Sequence, residues 1–391
     1  LLIMGERCMI RILHVIGGMN RGGIETWLMH VLRNIDRDHF CMDFLVHTNQ
    51  PCDYDEEIRA LGSEIIPCLD SAKPWLYALN FKRLLREKGS YDIVHSHVQH
   101  FNGYVLLLAK QSGVRSRIAH SHNDTSAIEA KSSWTRRLYF NLSKWWIARY
   151  ATLGLAASRL AAESLFGSGW KNDLRYQVFY CAIDLLPFRE QVNADLVRSE
   201  FNIPVDAFVI GHVGRLVEQK NPLFLVEIAA EVAVREPKMR LLLVGSGPLY
   251  STVNAKVQQL GLDDRVIFAG TRSDVNRLML GAMDVFLFPS IHEGLGLVLI
   301  EAQTAGLPCV LSDVVPEEAH VIEPLMQRLS LSQTAEVWSE VILKTLKAQR
   351  EITQTEAYQL IEKSSFNIHN SVKQLETLYF NQSLNEAKNS I

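Results

Sequence analysis

Two carboxylates, Glu293 and Glu301, stand eight residues apart in PSIHEGLGLVLIE (Pro289–Glu301), the most specific chemical signal in the chain. An apolar run ends at Pro289, Gly294 and Gly296 supply a turn, and an apolar helix is expected from about Leu297. Such a passage aims the first helical N–H groups at an anion, while carboxylates accept hydrogen bonds from a hydroxyl-rich ligand. Glu301 lies within the otherwise apolar stretch Leu297–Gly306, and a carboxylate there needs a partner. A ribose diol would serve, and local N–H groups are the alternative.

A second constellation, GRLVEQKNP (Gly214–Pro222), places Arg215 and Lys220 five residues apart, just before a helix with Pro near its first turn. Two cations in that position suit a diphosphate and would stabilise charge developing on a departing one. Surface ion pairing is the plainer reading. GGMNRGGIE (Gly17–Glu25) follows another apolar run and opens a helix, so its backbone can approach a ligand. It does not match GxGxxG, and a tight turn without ligand is the alternative. In RIAHSHND, His120 and His122 share a strand face, which raises a metal pair, although no third ligand is evident nearby. His95, His97 and His100 sit at another strand end, where imidazoles suit proton or hydrogen-bond duty, or a purely structural one.

These groups need rigid elements behind them. Apolar runs at Ile10–Ile16, Met42–His47, Ser63–Pro67, Ile93–His97, Arg117–His122 and Thr152–Ala157 read as strands, with helical periodicity between them, as over Glu25–Asn34. After a break near Asp184–Phe188 the grammar restarts. Phe208–Val213, Arg240–Val244, Arg265–Phe268, Val285–Pro289 and Pro308–Leu311 read as strands, and Pro222–Val234 as a helix. Strands alternating with helices imply an α/β fold with two parallel, doubly wound sheets. Ligands of such sheets sit beyond the carboxyl ends of the strands, and a cleft between two of them is a common site. The helical spacing of Phe366–Phe380 suits packing back on the first half.

With 391 residues, two domains are the natural expectation. A net charge of -3 gives no general attraction to nucleic acid. Six scattered cysteines without a CxxC pair point to free thiols in a reducing compartment. No apolar stretch approaches the ~20 residues needed to span a bilayer. Residues 1–8 read as a leader or a mis-set start. Over Trp134–Tyr150, Trp134, Leu138, Leu142 and Trp145 form one helical stripe, with Arg136, Arg137, Lys144 and Arg149 nearby. Such a helix can lie on an anionic membrane surface, or pack its stripe into the core with snorkelling cations.

The Glu293–Glu301 unit, GRLVEQKN and GGIE (Gly22–Glu25) together resemble the family-4 retaining glycosyltransferases of the GT-B fold. LLLVGSGPL (Leu241–Leu249), VIFAGTRSDV (Val266–Val275) and EAQTAGLPCV (Glu301–Val310) extend the resemblance over nearly the whole chain. RIAHSHND is most similar to bacterial enzymes of capsule and exopolysaccharide assembly. The resemblance implies two Rossmann-like domains facing across a cleft. Residues 9–186, joined by a C-terminal helix at 366–391, would take the acceptor, and 187–365 the nucleotide-sugar donor. Arg215 and Lys220 would grip the diphosphate and stabilise the leaving group. Glu301 would bind the ribose, and Glu293 hydroxyls of the transferred sugar. Amides of Gly294, Leu295, Gly296, Leu297 and Val298 would surround sugar and phosphate, and backbone near Thr271 and Arg272 would meet the base. Gly22 and Gly23 would close on the donor from the other domain. His122 aligns with the family's active-site histidine, with His120 in reserve.

Three positions depart from the family pattern: Leu295 replaces Phe, Asn221 replaces Gly, and YCAID (Tyr180–Asp184) replaces PNGID at the domain junction. None removes a donor ligand. The expected activity is retaining transfer of a hexose, favouring a UDP-linked donor such as UDP-glucose, to a saccharide or lipid-linked acceptor in cell-surface polysaccharide synthesis. It would be cytoplasmic or peripheral at the inner membrane face, through 134–150. No cofactor and no metal are expected. DxD spacing occurs at both Asp53–Asp55 and Asp36–Asp38, and two such matches show how weak that motif is. A donor-binding relative without activity and a sugar-nucleotide epimerase are the rivals. A nicotinamide oxidoreductase is disfavoured, because GSGPLY (Gly245–Tyr250) lacks a third glycine.

Overall fold

The computed structural model describes residues 9–348 and 351–384; the expected leader at 1–8, and with it Cys8, lies outside them. The chain forms two compact units, one running to Cys181 and resuming at Ile368, the other spanning Ala182–Asn367.

The first unit holds a seven-stranded sheet of β1 (Ile10–Ile16), β2 (Phe40–Val46), β3 (Ile65–Pro67), β4 (Ile93–Ser96), β5 (Ser116–Ser121), β6 (Leu153–Ala156) and β7 (Tyr176–Val178). Its order is β3-β2-β1-β4-β5-β6-β7 and every pairing is parallel. The chain reverses its direction of travel across the sheet between β1 and β4, so the switch point lies where Ile12 pairs with Ile93 and Val15 with Ser96.

The second unit holds a six-stranded sheet of β8 (Phe208–Val213), β9 (Met239–Val244), β10 (Val266–Gly270), β11 (Val285–Phe288), β12 (Cys309–Ser312) and β13 (Met326–Leu329), in the order β10-β9-β8-β11-β12-β13. It too is parallel, with its switch between β8 and β11. Both sheets are parallel because their strands are apolar on both faces, as in MRLLLV and VFLF, and helices cover each face. On one face Trp338 is fully buried, edge-on to Phe224 at 5.7 Å. Each such side chain contributes about 1.5–3 kcal/mol relative to exposure.

Strand boundaries move by one or two residues from the expected ones, and β7 and β13 were not expected at all. YQV and MQRL are short and carry polar residues, so neither shows an apolar run. The C-terminal helix, Ile368–Leu384, belongs to the first unit as its spacing suggests. Phe380 meets Phe40 at 4.8 Å, Tyr379 is buried, and the Glu376 carboxylate accepts from the Asp36 amide.

Candidate active site

At the switch point of the second sheet, the loops after β8 and β11 are laced together. Ile291 N–H donates to Gln219 O at 2.8 Å, and Gln219 Nε2 returns a bond to His292 O at 3.0 Å. This brings Lys220 Nζ to 2.5 Å from Glu293 Oε1 and 4.7 Å from the centre of the Phe288 ring. Glu293 is only 5% exposed, so the pair is largely withdrawn from water. Asn221 takes the left-handed conformation (φ 55°) where the resemblance expects Gly, a role Asn tolerates, and Pro222 then starts the helix Pro222–Arg235. Arg215 is exposed and forms no ion pair among the described residues.

Behind Arg215 lies a loop whose physical role its sequence did not disclose. Leu216 N–H donates to Ser246 O at 3.0 Å, and Leu249 N–H to Leu216 O. A Cβ at Gly245 (φ +127°) would collide with Gly214 O, and one at Gly247 would stand 2.5 Å from Leu216 O. The glycines of GSGPL therefore serve close backbone packing that holds the arginine loop. Ser246 Oγ also meets Thr271 Oγ1 at 3.1 Å, bringing the loop after β10 alongside. Arg272 points away, tied to Asp274 and Glu200, which raise its pKa further.

Gly296 adopts φ +88°, a left-handed turn that L side chains resist, and the helix Leu297–Thr304 starts there. Leu299 N–H donates to Gly296 O at 2.8 Å, and the amides of Leu297 and Val298 before it have no carbonyl four residues back within the helix. Leu295 is buried. Glu301 is partly covered, and its carboxylate makes no hydrogen bond or ion pair among the described residues. Local N–H groups thus do not satisfy it. Desolvation raises its pKa from 4.5 to about 7.

In the first unit, the switch point carries histidines. His14 on β1, His95 on β4, His120 on β5, and His97 and His122 just past the last two strands are all buried. His122 Nε2 meets His97 Nδ1 at 2.9 Å and its Nδ1 meets Cys181 Sγ at 3.7 Å, so both ring nitrogens are engaged. Burial pushes His14 and His122 down to about 3, and burial plus neighbouring imidazoles holds His95, His97 and His120 well below the usual imidazole value. The third imidazole not evident near His120 and His122 in the sequence is His97, which β4 supplies across the sheet. Gly22 and Gly23 open the helix Gly23–Asn34 after β1, with the Glu25 carboxylate folded over Gly22.

Both DxD matches are occupied locally. Asp53 accepts from the Arg21 amide, Asp55 from the Cys52 amide, and Asp36 from the Asp38 amide and the His39 ring. The Trp134–Tyr150 stripe does not enter the core. The helix buries Phe140, Ser143 and Ile147, while Trp134 is 73% and Trp145 57% exposed, with Leu138 and Leu142 exposed beside them. Burial follows the opposite face, which packs chiefly on the helix Asn102–Gln111. Lys144 is paired with Glu129 at 2.7 Å. Among the described residues no helix is long and apolar enough to cross a membrane.

Residues 21–185 match the model of Glycosyltransferase Family 4, and 193–378 that of Glycosyl transferases group 1. EpsF of Bacillus subtilis, which carries a glycosyltransferase name, is 36% identical over 87% of this chain and 88% of its own. An Escherichia coli UDP-Gal:alpha-D-GlcNAc-diphosphoundecaprenol alpha-1,3-galactosyltransferase is 26% identical over 78% of this chain and 80% of its own. Among solved structures, Anabaena HepE in complex with UDP-glucose superposes with a TM-score of 0.79 at 19% identity, covering 94% of this chain and 99% of its own. With both units matched and EpsF aligned over most of its length, the chain belongs to the family-4 glycosyltransferases and is a glycosyltransferase of GT-B fold.

Proposed function

We propose that the protein moves a hexose from a UDP-sugar, with retention, to a saccharide or lipid-linked acceptor in cell-surface polysaccharide synthesis. The carrying observation is the Lys220–Glu293 pair on loops where Arg215 and the Glu301 carboxylate have no partner among the described residues and the helix Leu297–Thr304 begins. A nucleoside diphosphate sugar complements that set: diphosphate on the cations and amides, ribose on Glu301, sugar hydroxyls on Glu293. The UDP-glucose complex of HepE and the undecaprenol-linked acceptor in the name of the Escherichia coli relative support the donor and acceptor classes. As the sugar–phosphate bond breaks, the acceptor hydroxyl bonds to the anomeric carbon from the same face and gives its proton to a departing phosphate oxygen. Arg215 and Lys220 neutralise the leaving diphosphate, so no metal is required for transfer. The base would lie against backbone at Thr271 and Arg272. Gly22, Gly23 and His122 are assigned on resemblance. His122 reaches a donor only if His97 or Cys181 releases it.

The exposed stripe of Trp134, Leu138, Leu142 and Trp145, with Arg136, Arg137 and Arg149 exposed around it, suits the anionic inner face of a membrane where lipid-linked acceptors reside. The test is a panel of UDP-, GDP- and ADP-sugars read by thermal shift, then nucleotide release in EDTA. Stabilisation by a UDP-sugar, with release lost in Glu293→Ala and Lys220→Ala, is expected. No shift with any donor refutes the donor pocket. Binding without release under supplied acceptors points to a binding-only relative, and conversion of the donor without acceptor to an epimerase.

A further inference from the structure

The five buried histidines of the first sheet have a hydrogen-bond pattern that points inward to one spot. His97 uses Nε2 toward His14 Nδ1 at 3.0 Å, His120 uses Nδ1 toward His95 Nε2 at 3.1 Å, and His122 uses Nδ1 toward Cys181 Sγ at 3.7 Å. The remaining nitrogens are His97 Nδ1 and His122 Nε2, which face each other at 2.9 Å, and His120 Nε2, which is buried without any partner among the described residues. The three imidazoles each offer a nitrogen, all within 4.8 Å of one another. We propose that His97, His120 and His122 form a binding site for one divalent transition-metal ion of the zinc type, ligated through His97 Nδ1, His120 Nε2 and His122 Nε2.

The outer hydrogen bonds give the proposal its chemistry. A metal-binding imidazole almost always donates its other N–H to a neighbour, which fixes the tautomer and leaves a lone pair for the ion. Here His14, His95 and Cys181 are those neighbours, and His95 is itself anchored by Tyr379 Oη at 2.9 Å. Loading the site breaks one bond, His97 to His122, requires those nitrogens to open from 2.9 Å to about 3.3 Å, the spacing of tetrahedral ligands at ~2.0 Å from zinc, and brings the third imidazole nitrogen, within 4.8 Å of them, to the same spacing. It also gives the orphaned His120 Nε2 a partner. Since each imidazole binds neutral, loading needs tautomer shifts and no ligand proton is released. His14, His95 and His97 form a second close trio, but both nitrogens of His95 already hold Tyr379 and His120, so binding there would dismantle the support. All-imidazole ligation suits zinc, copper and nickel and disfavours magnesium and calcium. Three protein ligands leave a fourth position for water or another ligand. The site lies within the first unit and shares His122 with the proposed donor contacts, so an ion held there and a donor-facing His122 exclude each other; metal binding itself is tested without any sugar donor.

The test uses the full chain with any affinity tag removed, titrated with Zn2+ and Co2+ against a chromophoric chelator, with bound metal counted by mass spectrometry. One ion per chain and the visible bands of tetrahedral Co2+ are expected. His97→Gln and His120→Gln should each weaken binding by more than about 100-fold, and Cys181→Ser by about 10-fold, the scale of losing an outer partner. His212→Gln, a buried histidine of the other unit, should leave it unchanged. Less than stoichiometric binding, or equal affinity in His97→Gln and His120→Gln, overturns the proposal. Should those variants fail to fold by circular dichroism, X-ray absorption of the zinc-loaded wild type decides. Three imidazoles without sulfur support the site; a sulfur or all-oxygen shell refutes it.

Discussion

Replacing Glu301 by Gln should make the free protein more stable and a poorer donor binder, and pH separates the two effects. Burial lifts this carboxyl from its ordinary 4.5 to about 7. Between those values the folded chain keeps a proton that the unfolded chain has lost. Stability from this group is therefore full below pH 4.5, falls as pH rises through about 7, and stays reduced above it. At about 1.4 kcal/mol per tenfold change, the full penalty is about 3 kcal/mol. Because the side chain keeps some contact with water, screening lowers this to about 2 kcal/mol. A unit of this size loses roughly 2–4 °C of Tm per kcal/mol, so Glu301→Gln should melt about 4–8 °C higher near pH 8.5. The gap should close toward pH 4. Thermal unfolding of wild type and variant across that range measures it, and the buried histidines, common to both, cancel in the difference. The variant should also bind UDP about 10–100-fold more weakly, having lost charged hydrogen bonds to the ribose worth ~1.5–3 kcal/mol. Parallel Tm profiles, or a variant less stable near pH 8.5, would refute the reasoning by showing that the carboxylate is already satisfied.

Three other outcomes follow from particular contacts. Lys220→Met strands a buried carboxylate and should cost about 3 kcal/mol; adding Glu293→Gln should recover part of the loss, and strictly additive melting shifts would argue against the pair. Gly245→Ala, where a Cβ meets Gly214 O at φ +127°, should cost more than about 2 kcal/mol and weaken donor binding through the Arg215 loop. Gly270→Ala has open space at φ +67° and should cost only about 1 kcal/mol; equal melting losses would sink the packing argument. Trp134→Ser with Trp145→Ser should abolish co-sedimentation with anionic vesicles while leaving circular dichroism unchanged, and retained sedimentation would remove that helix from the membrane.

Much of the architecture was legible because parallel strands buried on both faces read as apolar runs: VIGHV in β8 and VFLF in β11 could hardly be anything else. β7 and β13 escaped because edge strands bury less and carry polar residues. The Glu293–Glu301 spacing marked a candidate site since glycines and carboxylates inside an apolar segment need a reason. The histidine cluster was visible only as a pair, His120 and His122, and a separate trio, His95, His97 and His100, for the β4–β5 register that joins His95 to Ile118 and sets His97 near His122 is a long-range property. The Trp134 stripe left two readings open, and its exposure removes the core-packing one. Periodicity identifies an apolar face and leaves open what that face meets.

The return of the last helix to the first sheet has a consequence for how the chain is made. Tyr379 closes over His95, the Ser116 hydroxyl donates to Gln382 O, and Glu376 holds the Asp36 amide. A ribosome adding about 5–20 residues per second delivers these groups some 13–68 s after the residues they meet. Ala182–Asn367, contiguous in sequence, can complete itself during that interval. The N-terminal sheet therefore waits unfinished on the C-terminal one, reversing the usual order of synthesis and assembly. Truncation just before Ile368 would leave the later-made unit whole and the earlier-made one open, with His95 stripped of its Tyr379 cover.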